Sequence, residues 1–241
     1  MTPDAPSPAP ENDAPRSRRT TARSRKMADE IQAARVLHDN ALADADIRAR
    51  LAEYGYDQAR MEALNAAITR ADARVSAQNI SGGQRNTATQ TVTGAERHAR
   101  AVTARLAAMC RLKFSPPQQT QLGLGTGRAP AGRAAFLQYA ATLYTAARTL
   151  PDLAAVLARS GYPAARLQTE QAAITALSQA DAAQEAKQGD AEQATDDQDQ
   201  AMNALRAIVH DLSGTARIAL HDTPQKLEKL GLPARAARRS A

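Results

Sequence analysis

Gly55-Tyr56-Asp57-Gln58-Ala59-Arg60 returns 106 residues further along as Gly161-Tyr162-Pro163-Ala164-Ala165-Arg166. Extending both copies at this spacing aligns 46–78 with 152–184, where 14 of 33 residues are identical. Eight of the identical residues are not alanine, so an Ala-rich composition does not explain the match. Further identical pairs are Arg100/Arg206, Leu106/Leu212, Arg111/Arg217, Gln119/Gln225 and Leu124-Gly125/Leu230-Gly231. Since solenoid repeats span only about 20–50 residues, this period predicts a duplicated unit of several helices or strands.

The composition favours helices. Only 3% of the 241 residues are aromatic and there is no Trp, whereas Ala is abundant. A core of Ala, Leu, Ile and Val suits closely packed helices better than a sandwich or barrel, which draws on β-branched and aromatic side chains. The sequence therefore predicts an all-α protein.

Each repeat reads as a long helical hairpin with a leading helix before it and short helices at its base. In the first repeat, Ser81-Gly82-Gly83 separates two long helices of about 57–80 and 85–114. Lys187-Gln188-Gly189 holds the matching place in the second repeat. Glycine is the residue that most readily reverses a chain, so we expect a turn at each of these sites.

The apolar stripe of the long helices fades into polar residues over 79–95 and 184–200, as expected of solvent-exposed hairpin tips. The second stretch also contains an acidic run that we interpret as solvated side chains at a helix start rather than a cation site, because an EF-hand loop needs a different spacing. Its members are Glu185, Asp190, Glu192, Asp196, Asp197 and Asp199.

An isolated hairpin leaves one apolar face exposed, so we expect the two hairpins to pack, in the manner of a coiled coil, into one pseudo-twofold helical bundle. Two independent domains are the alternative. The predicted organisation is a disordered Pro/Ser/Arg-rich tail (1–26), helical unit 1 (27–122), a Gly/Pro linker (123–132), helical unit 2 (133–232) and a basic C-terminal tail (233–241).

The residues that both repeats share most clearly form a Gly-Tyr-Arg pattern. We expect each glycine to end a short helix as a left-handed C′ residue, each tyrosine ring to cover the hairpin base, and the arginines to bind helix-end carbonyls. A pair of symmetric small-ligand sites is the alternative. The predicted repeated corner consists of Gly55, Tyr56, Arg60, Arg111, Gly161, Tyr162, Arg166 and Arg217.

The formal charge of +6 lies in the tails, since 27–232 carries 22 basic and 22 acidic side chains. Arg-rich tails on a neutral body keep nucleic acid as one candidate partner. Within the body, 27–132 has a net charge of +3 and 133–232 a net charge of −3. Drift after duplication accounts for such a difference, because solvated helix faces tolerate charge changes. The alternative is that faces of opposite charge fix how the units, or neighbouring molecules, dock, which would support self-association or a protein partner.

Other motifs point to structure rather than chemistry. Ile80-Ser81-Gly82-Gly83-Gln84 resembles the signature loop of ABC-type ATPases, but the chain has no phosphate-cradling G-x-x-x-x-G-K-[ST] loop. The glycines of 123–127 follow no strand, so we interpret them as linker rather than as a dinucleotide loop.

The side chains that could carry catalysis lack partners in the sequence. None of the pairs His38-Asp39, His210-Asp211 and His221-Asp222 recurs at the repeat spacing, and His98 is the only other histidine. The single cysteine, Cys110, lies on an apolar helical stripe and is interpreted as a buried small hydrophobe. We therefore expect no metal, no cofactor and no catalytic residue.

No stretch has the apolar length of a signal-peptide core or a membrane span, so the cytoplasm is the expected location and no membrane partner is expected. The stretch 217–231, with Gly161-Tyr162 upstream, resembles the endings of uncharacterised bacterial helical proteins with tandem repeats. That resemblance implies a helical bundle and a bacterial source, and no function.

Taken together, the residues predict a non-enzymatic structural or protein-interaction module that self-assembles. A nucleic-acid-associated protein binding through its Arg-rich tails is the alternative, and a small-ligand binder at the repeated Tyr/Arg corners is the third hypothesis.

Overall fold

A computed structural model describes residues 14–125 and 127–233, and these residues are arranged as helices and connections without a strand. The all-α prediction is confirmed. The helices are α1 (Ala14–Ala43), α2 (Ala45–Glu53), α3 (Gln58–Lys113), α4 (Pro116–Gln121), α5 (Arg133–Thr149), α6 (Pro151–Arg159), α7 (Ala164–Ala219) and α8 (Pro224–Lys229). None of these helices is long and apolar enough to cross a bilayer.

Corresponding helices begin at the spacing of the sequence repeat. Both α2 and α6 have 9 residues, both α3 and α7 have 56 residues, and each pair starts 106 residues apart. The spacing grows to 108 for α4 and α8. The connection from α7 to α8 is residues 220–223, whereas the connection from α3 to α4 is only residues 114–115. The predicted pairing of Leu124-Gly125 with Leu230-Gly231 is therefore wrong by two residues.

The correct pairs after the long helices are identified by their backbone. Gly123 and Gly231 both have positive φ, at 72° and 74°. Leu122 and Leu230, directly before them, both cap their short helix and are both buried. At the spacing of 108, these residues occupy the same place in the two halves of the chain.

The predicted hairpin turns are wrong. Ser81-Gly82-Gly83 lies inside α3 and Lys187-Gln188-Gly189 lies inside α7, so neither long helix reverses at these glycines. Positive φ occurs, among the described glycines, at 55, 123, 161 and 231, just after short helices, and at 125 in the connection that follows α4. Glycine fits a left-handed turn and also tolerates a helix at about 1 kcal/mol per residue, so long flanking helices can absorb its cost.

The chain folds into two compact units. The central unit is residues 81–192, and the terminal unit combines 14–80 with 193–233. Each unit therefore contains about half of α3 and about half of α7. This division differs from the sequence-derived units 27–122 and 133–232.

The core of the terminal unit joins apolar side chains of α1, α2 and the start of α3 to side chains from the end of α7 and from α8. Leu64 of α3 and Leu212 of α7 are both fully buried in it. The cluster comprises Met27, Ile31, Ala34, Leu37, Ala41, Ile47, Leu51, Tyr56, Met61, Leu64, Ile68, Ala71, Met202, Leu205, Leu212, Ala216, Ala219, Leu220, Leu227 and Leu230.

The core of the central unit is built from corresponding positions of the repeat, but the N-terminal and C-terminal halves of the chain exchange roles. Here α5, α6 and the start of α7 pack with the end of α3 and with the segment after it. The cluster comprises Val92, Ala99, Leu106, Ala107, Cys110, Phe114, Leu122, Leu124, Phe136, Ala140, Leu143, Tyr144, Ala147, Leu153, Leu157, Tyr162, Leu167, Ile174 and Leu177.

The two cores explain why the apolar stripe fades. Along α3 one cluster ends at Ala71 and the other begins at Val92, and along α7 they are separated by the stretch from Leu177 to Met202. Low apolar content there marks the passage of one helix from one core to the other. It does not mark a hairpin tip.

The acidic run lies within α7 rather than at a helix start. Asp197 pairs with Arg74 at 2.9 Å and Asp199 pairs with Arg23 at 2.5 Å, both inside the terminal unit. Lys187 pairs with Asp190 at 2.8 Å.

The first helix begins further towards the N-terminus than the sequence indicated. Residues 14–26, predicted to be disordered, form the first turns of α1, and Arg23 among them makes the ion pair with Asp199. The rest of the predicted N-terminal tail (1–13) and most of the predicted C-terminal tail (234–241) lie outside the described residues.

Candidate functional site

The repeated Gly-Tyr corner is a helix end that turns directly into a long helix. The amide of Tyr56 donates to the carbonyl of Leu51 at 2.9 Å, and the amide of Tyr162 donates to Leu157 at the same distance. The glycines before them have φ of 84° and 85°, the left-handed conformation that a C′ residue needs. Both tyrosine side chains are thereby directed into a core, where they are 3% and 4% exposed.

In the terminal unit, the tyrosine hydroxyl is held by a carboxylate. Tyr56 donates to Oδ2 of Asp211 at 2.6 Å, and Nη1 of Arg60 lies 3.6 Å from the same oxygen. The guanidinium of Arg60 also lies 5.1 Å from the centre of the tyrosine ring, a cation–π arrangement. Burial, and then the hydrogen bond to Asp211, raises the pKa of Tyr56 to about 12. The phenol is therefore a proton donor and not a general base at neutral pH.

The central unit builds the same corner with a different carboxylate. Arg166 stacks 3.9 Å from the ring centre of Tyr162 and donates from Nε to Oε1 of Glu170 at 3.0 Å. Nη1 of Arg166 donates to the carbonyl of Gly161 at 2.9 Å. Burial raises the pKa of Tyr162 above its usual range.

A second tyrosine completes this cluster. Tyr144 of α5 donates to Oε2 of Glu170 at 3.0 Å, and both side chains are buried. Burial, followed by the negative charge of Glu170, raises the pKa of Tyr144 well above that of a free phenol. The carboxylate is shared between an arginine and a phenol, so a desolvated charge has two donors that stabilise it.

The carboxylates of the two corners come from unrelated positions. The residue that corresponds to Asp211 in the first half is Arg105, and the residue that corresponds to Glu170 is the buried Leu64. The repeat pattern therefore identified the tyrosines and arginines but missed both acceptors. In the sequence, Asp211 is distinguished only by its place in the His210-Asp211 pair.

The remaining arginines of the predicted corner bind carbonyls at other places. Nη2 of Arg111 donates to the carbonyl of Gly127 at 2.9 Å and so stabilises the connection between α4 and α5. Arg217 reaches only the carbonyl of Ser213, one turn earlier in its own helix, at 3.5 Å. Arg100, which was not assigned to the corner, donates to the carbonyls of Pro130 and Ala131 at 2.9 and 2.7 Å.

A cavity adjoins each corner. The cavity beside Tyr56 has a volume of about 340 Å³ and its wall includes Arg60, Ala63, Ile208 and Asp211. The cavity beside Tyr162 has a volume of about 510 Å³, and Arg148 is its charged lining residue. Nη1 of Arg148 already donates to Gln171 at 2.6 Å. The charged side chains around both cavities therefore already bond to other residues of the protein.

No protein-family model, curated protein or solved structure matches this chain. The chemistry of the site accordingly rests on its own residues.

The remaining reactive side chains do not converge. Cys110 is fully buried, and burial raises the pKa of its thiol to about 11, so the thiolate needed for nucleophilic attack is scarce at neutral pH. Nδ1 of His38 lies 2.8 Å from Asp39, its neighbour in sequence, and His98, His210 and His221 are exposed. Across 14–125 and 127–233, no group of three His, Cys, Asp or Glu residues could hold a metal ion.

Proposed function

We propose that this protein is a non-enzymatic protein-interaction module that self-associates, with the central unit of one copy binding the terminal unit of the next. The charge of the two compact units carries the proposal. The central unit (81–192) has 12 basic and 7 acidic side chains, a net charge of +5, whereas 27–80 and 193–232 of the terminal unit have 10 and 15, a net charge of −5. Over the same residues, 27–232, grouping by compact unit therefore gives a larger charge difference than grouping by sequence repeat. The six basic side chains of 16–26, at the start of α1, are counted apart, and with them the described terminal unit has a net charge of +1.

Part of this charge is available to a partner. Within the described residues, several exposed arginines of the central unit take part in no ion pair, and neither do several exposed acids of the terminal unit. Four such arginines are Arg85, Arg97, Arg128 and Arg159, and four such acids are Asp29, Glu53, Asp196 and Glu228. Unlike charges on two surfaces steer them together and stabilise the contact at low salt.

Exposed aliphatic side chains add an apolar component. Leu112 is 74% exposed and Ile218 is 60% exposed, and the two occupy corresponding positions near the ends of α3 and α7. Covering a leucine or isoleucine side chain contributes about 1.5–3 kcal/mol. A single exposed aliphatic residue is ordinary, but one at the same position of both halves favours a contact surface.

The proposal includes a tandem duplication with pseudo-twofold symmetry as the origin of the two units. The spacing of 106 between matching helices and the corresponding core positions support it. After duplication, each unit would have acquired opposite charge. A contact between unlike units is heterologous, so it continues from copy to copy unless the geometry closes a ring.

Static light scattering over a range of protein and salt concentrations tests the proposal. We expect oligomers at low salt that dissociate towards 1 M salt, where the Debye length is about 3 Å. Replacing the four exposed arginines by Gln should abolish them, and so should replacing the four exposed acids by Asn or Gln.

The two variants together exclude a general effect of net charge. The arginine variant brings the formal charge of the molecule from +6 to +2, and the acid variant brings it to +10. Loss of net charge by itself promotes association, whereas gain of net charge opposes it. Complementary units predict less association in both variants, so an arginine variant that associates more strongly than the wild type contradicts the proposal.

Nucleic acid is the second candidate partner, favoured by the six basic side chains of 16–26, of which Arg23, Arg25 and Lys26 are exposed. Phosphate binding by these residues predicts an affinity for duplex DNA that falls steeply with salt. Replacing the basic residues of 16–26 by Gln should remove it, and an unchanged affinity argues against this function.

A further inference from the structure

The two halves of the chain, up to Gly125 and from Gly127 onward, do not each contain a complete core. The end of α7 and α8, from the C-terminal half, supply eight members of the terminal core, among them the fully buried Leu212. The end of α3 and the segment after it, from the N-terminal half, supply the same number to the central core, among them the fully buried Leu106. Each half therefore contributes the end of its long helix, and the segment after it, to the core formed with the other half.

The contacts that join the halves also correspond in position. In the terminal unit, Arg206 donates to Glu30 at 2.7 Å. In the central unit the matching residues are Arg100 and Phe136, and the guanidinium lies 4.3 Å from the ring centre. Arg206 contacts a carboxylate whereas Arg100 contacts an aromatic ring, but the two pairs of residues occupy the same positions of the repeat.

The short helices give a second matching pair of contacts. A Cβ atom added to Gly231, after α8, would lie 3.7 Å from Val36 of α1. A Cβ atom added to Gly123, after α4, would lie 2.7 Å from Thr142 of α5. Each C′ glycine therefore packs against the leading helix of the opposite half.

From these reciprocal contacts we propose that the two halves of the chain are mutual binding partners. The apolar face left open by each half fits the C-terminal part of a long helix and the short helix after it from the other half, supplied by the same chain or by a second copy. The covalent linker 123–132 raises the local concentration of the halves but is not what holds them together. This surface is separate from the charged surfaces of the proposed self-association.

The test is cleavage of the full chain. A protease recognition sequence replaces 126–129, and the folded protein is cut there in 1 M salt, where the charged contact between copies is screened. We expect the two fragments to elute together at the size of the intact 25.6 kDa chain. Thermal unfolding of the cut protein should depend on protein concentration, because unfolding now separates two molecules. Unfolding of the uncut protein should not.

Core substitutions show whether the reciprocal surface holds the fragments. Leu106→Ala and Leu212→Ala remove matching side chains from the central and the terminal core, and each should raise the dissociation constant of the fragments by at least about 100-fold. Ile80→Ala changes an exposed residue of α3 and serves as the control, with an unchanged dissociation constant expected.

Exchange between copies extends the test. Two preparations of cut protein with different affinity tags, partly unfolded together in urea and then refolded, should give hybrids that carry one tag on each half. Fragments that elute separately after cleavage, whether as two folded hairpin proteins or as unfolded chains, overturn the proposal. That result would leave the charge-driven association of uncut chains unaffected.

Discussion

The continuity of the two long helices can be tested at the three glycines that suggested turns. We consider the combined substitution of Gly82, Gly83 and Gly189 by Ala. None of the three has positive φ, and an added Cβ atom would meet nothing within 4 Å at any of them. The new methyl groups therefore bring no clash, and the substitution acts only through helix propensity and the entropy of the unfolded chain.

The expected effect is a gain in stability. Alanine is more stable than glycine in a helix interior by about 0.5–1 kcal/mol, so three substitutions should raise the free energy of unfolding by about 1.5–3 kcal/mol. In a chain of this size, 1 kcal/mol corresponds to roughly 2–4 °C, which predicts a rise in the melting temperature of about 3–12 °C. Circular dichroism at 222 nm measures both the melting curve and the helix content.

Gly55→Ala and Gly161→Ala are the matched controls. With φ of 84° and 85°, each should lower stability by about 1 kcal/mol, and the two losses should be similar because the two helix ends share one geometry. Destabilisation by the triple substitution would mean that the glycines do reverse the chain. The continuous α3 and α7, and with them the exchanged cores, would then be refuted.

Two further predictions follow from particular contacts. Gly123→Ala should cost about 1–3 kcal/mol more than Gly231→Ala in urea denaturation, because its Cβ would lie 2.7 Å from Cγ2 of Thr142 whereas that of Gly231 would lie 3.7 Å from Val36. Adding Thr142→Ser removes that methyl group and should recover most of the stability lost in Gly123→Ala. If the stability is not recovered, the strain lies elsewhere. The raised pKa of Tyr56, about 12, means that the folded state keeps a phenol proton that the unfolded state loses near pH 10, so stability should fall as the pH rises from about 10 to 12. In Tyr56→Phe, the free energy of unfolding measured by urea denaturation should fall less steeply over this pH range than in the wild type. An unchanged pH dependence would contradict this prediction.

Local sequence was sufficient for much of the secondary structure. Pro151 lies in the first turn of α6, and Asp46 and Asp152 place negative charge near the starts of α2 and α6, so local residues favour helix starts at these positions. Gly55 and Gly161 predicted where these two helices end. These features depend on a few neighbouring residues and on the backbone that each residue type tolerates, so they can be read without knowing the fold.

The partners of each side chain could not be read in the same way. Helical periodicity shows which face of a helix is buried, but not what covers it, so α3 and α7 were each divided at their glycines rather than shared between two cores. Tyr56 was expected at a helix corner, yet its acceptor Asp211 lies 155 residues away and has no counterpart in the first half.

The sequence by itself therefore determined the repeat, the helical class and the turns at the ends of the short helices, because these are set by short-range sterics and composition. The tertiary structure alone decided that each core combines segments from both halves. An apolar face gains the same free energy from any well-fitting apolar neighbour. Only the packing of the whole chain selects among those neighbours, and here it selected the other half.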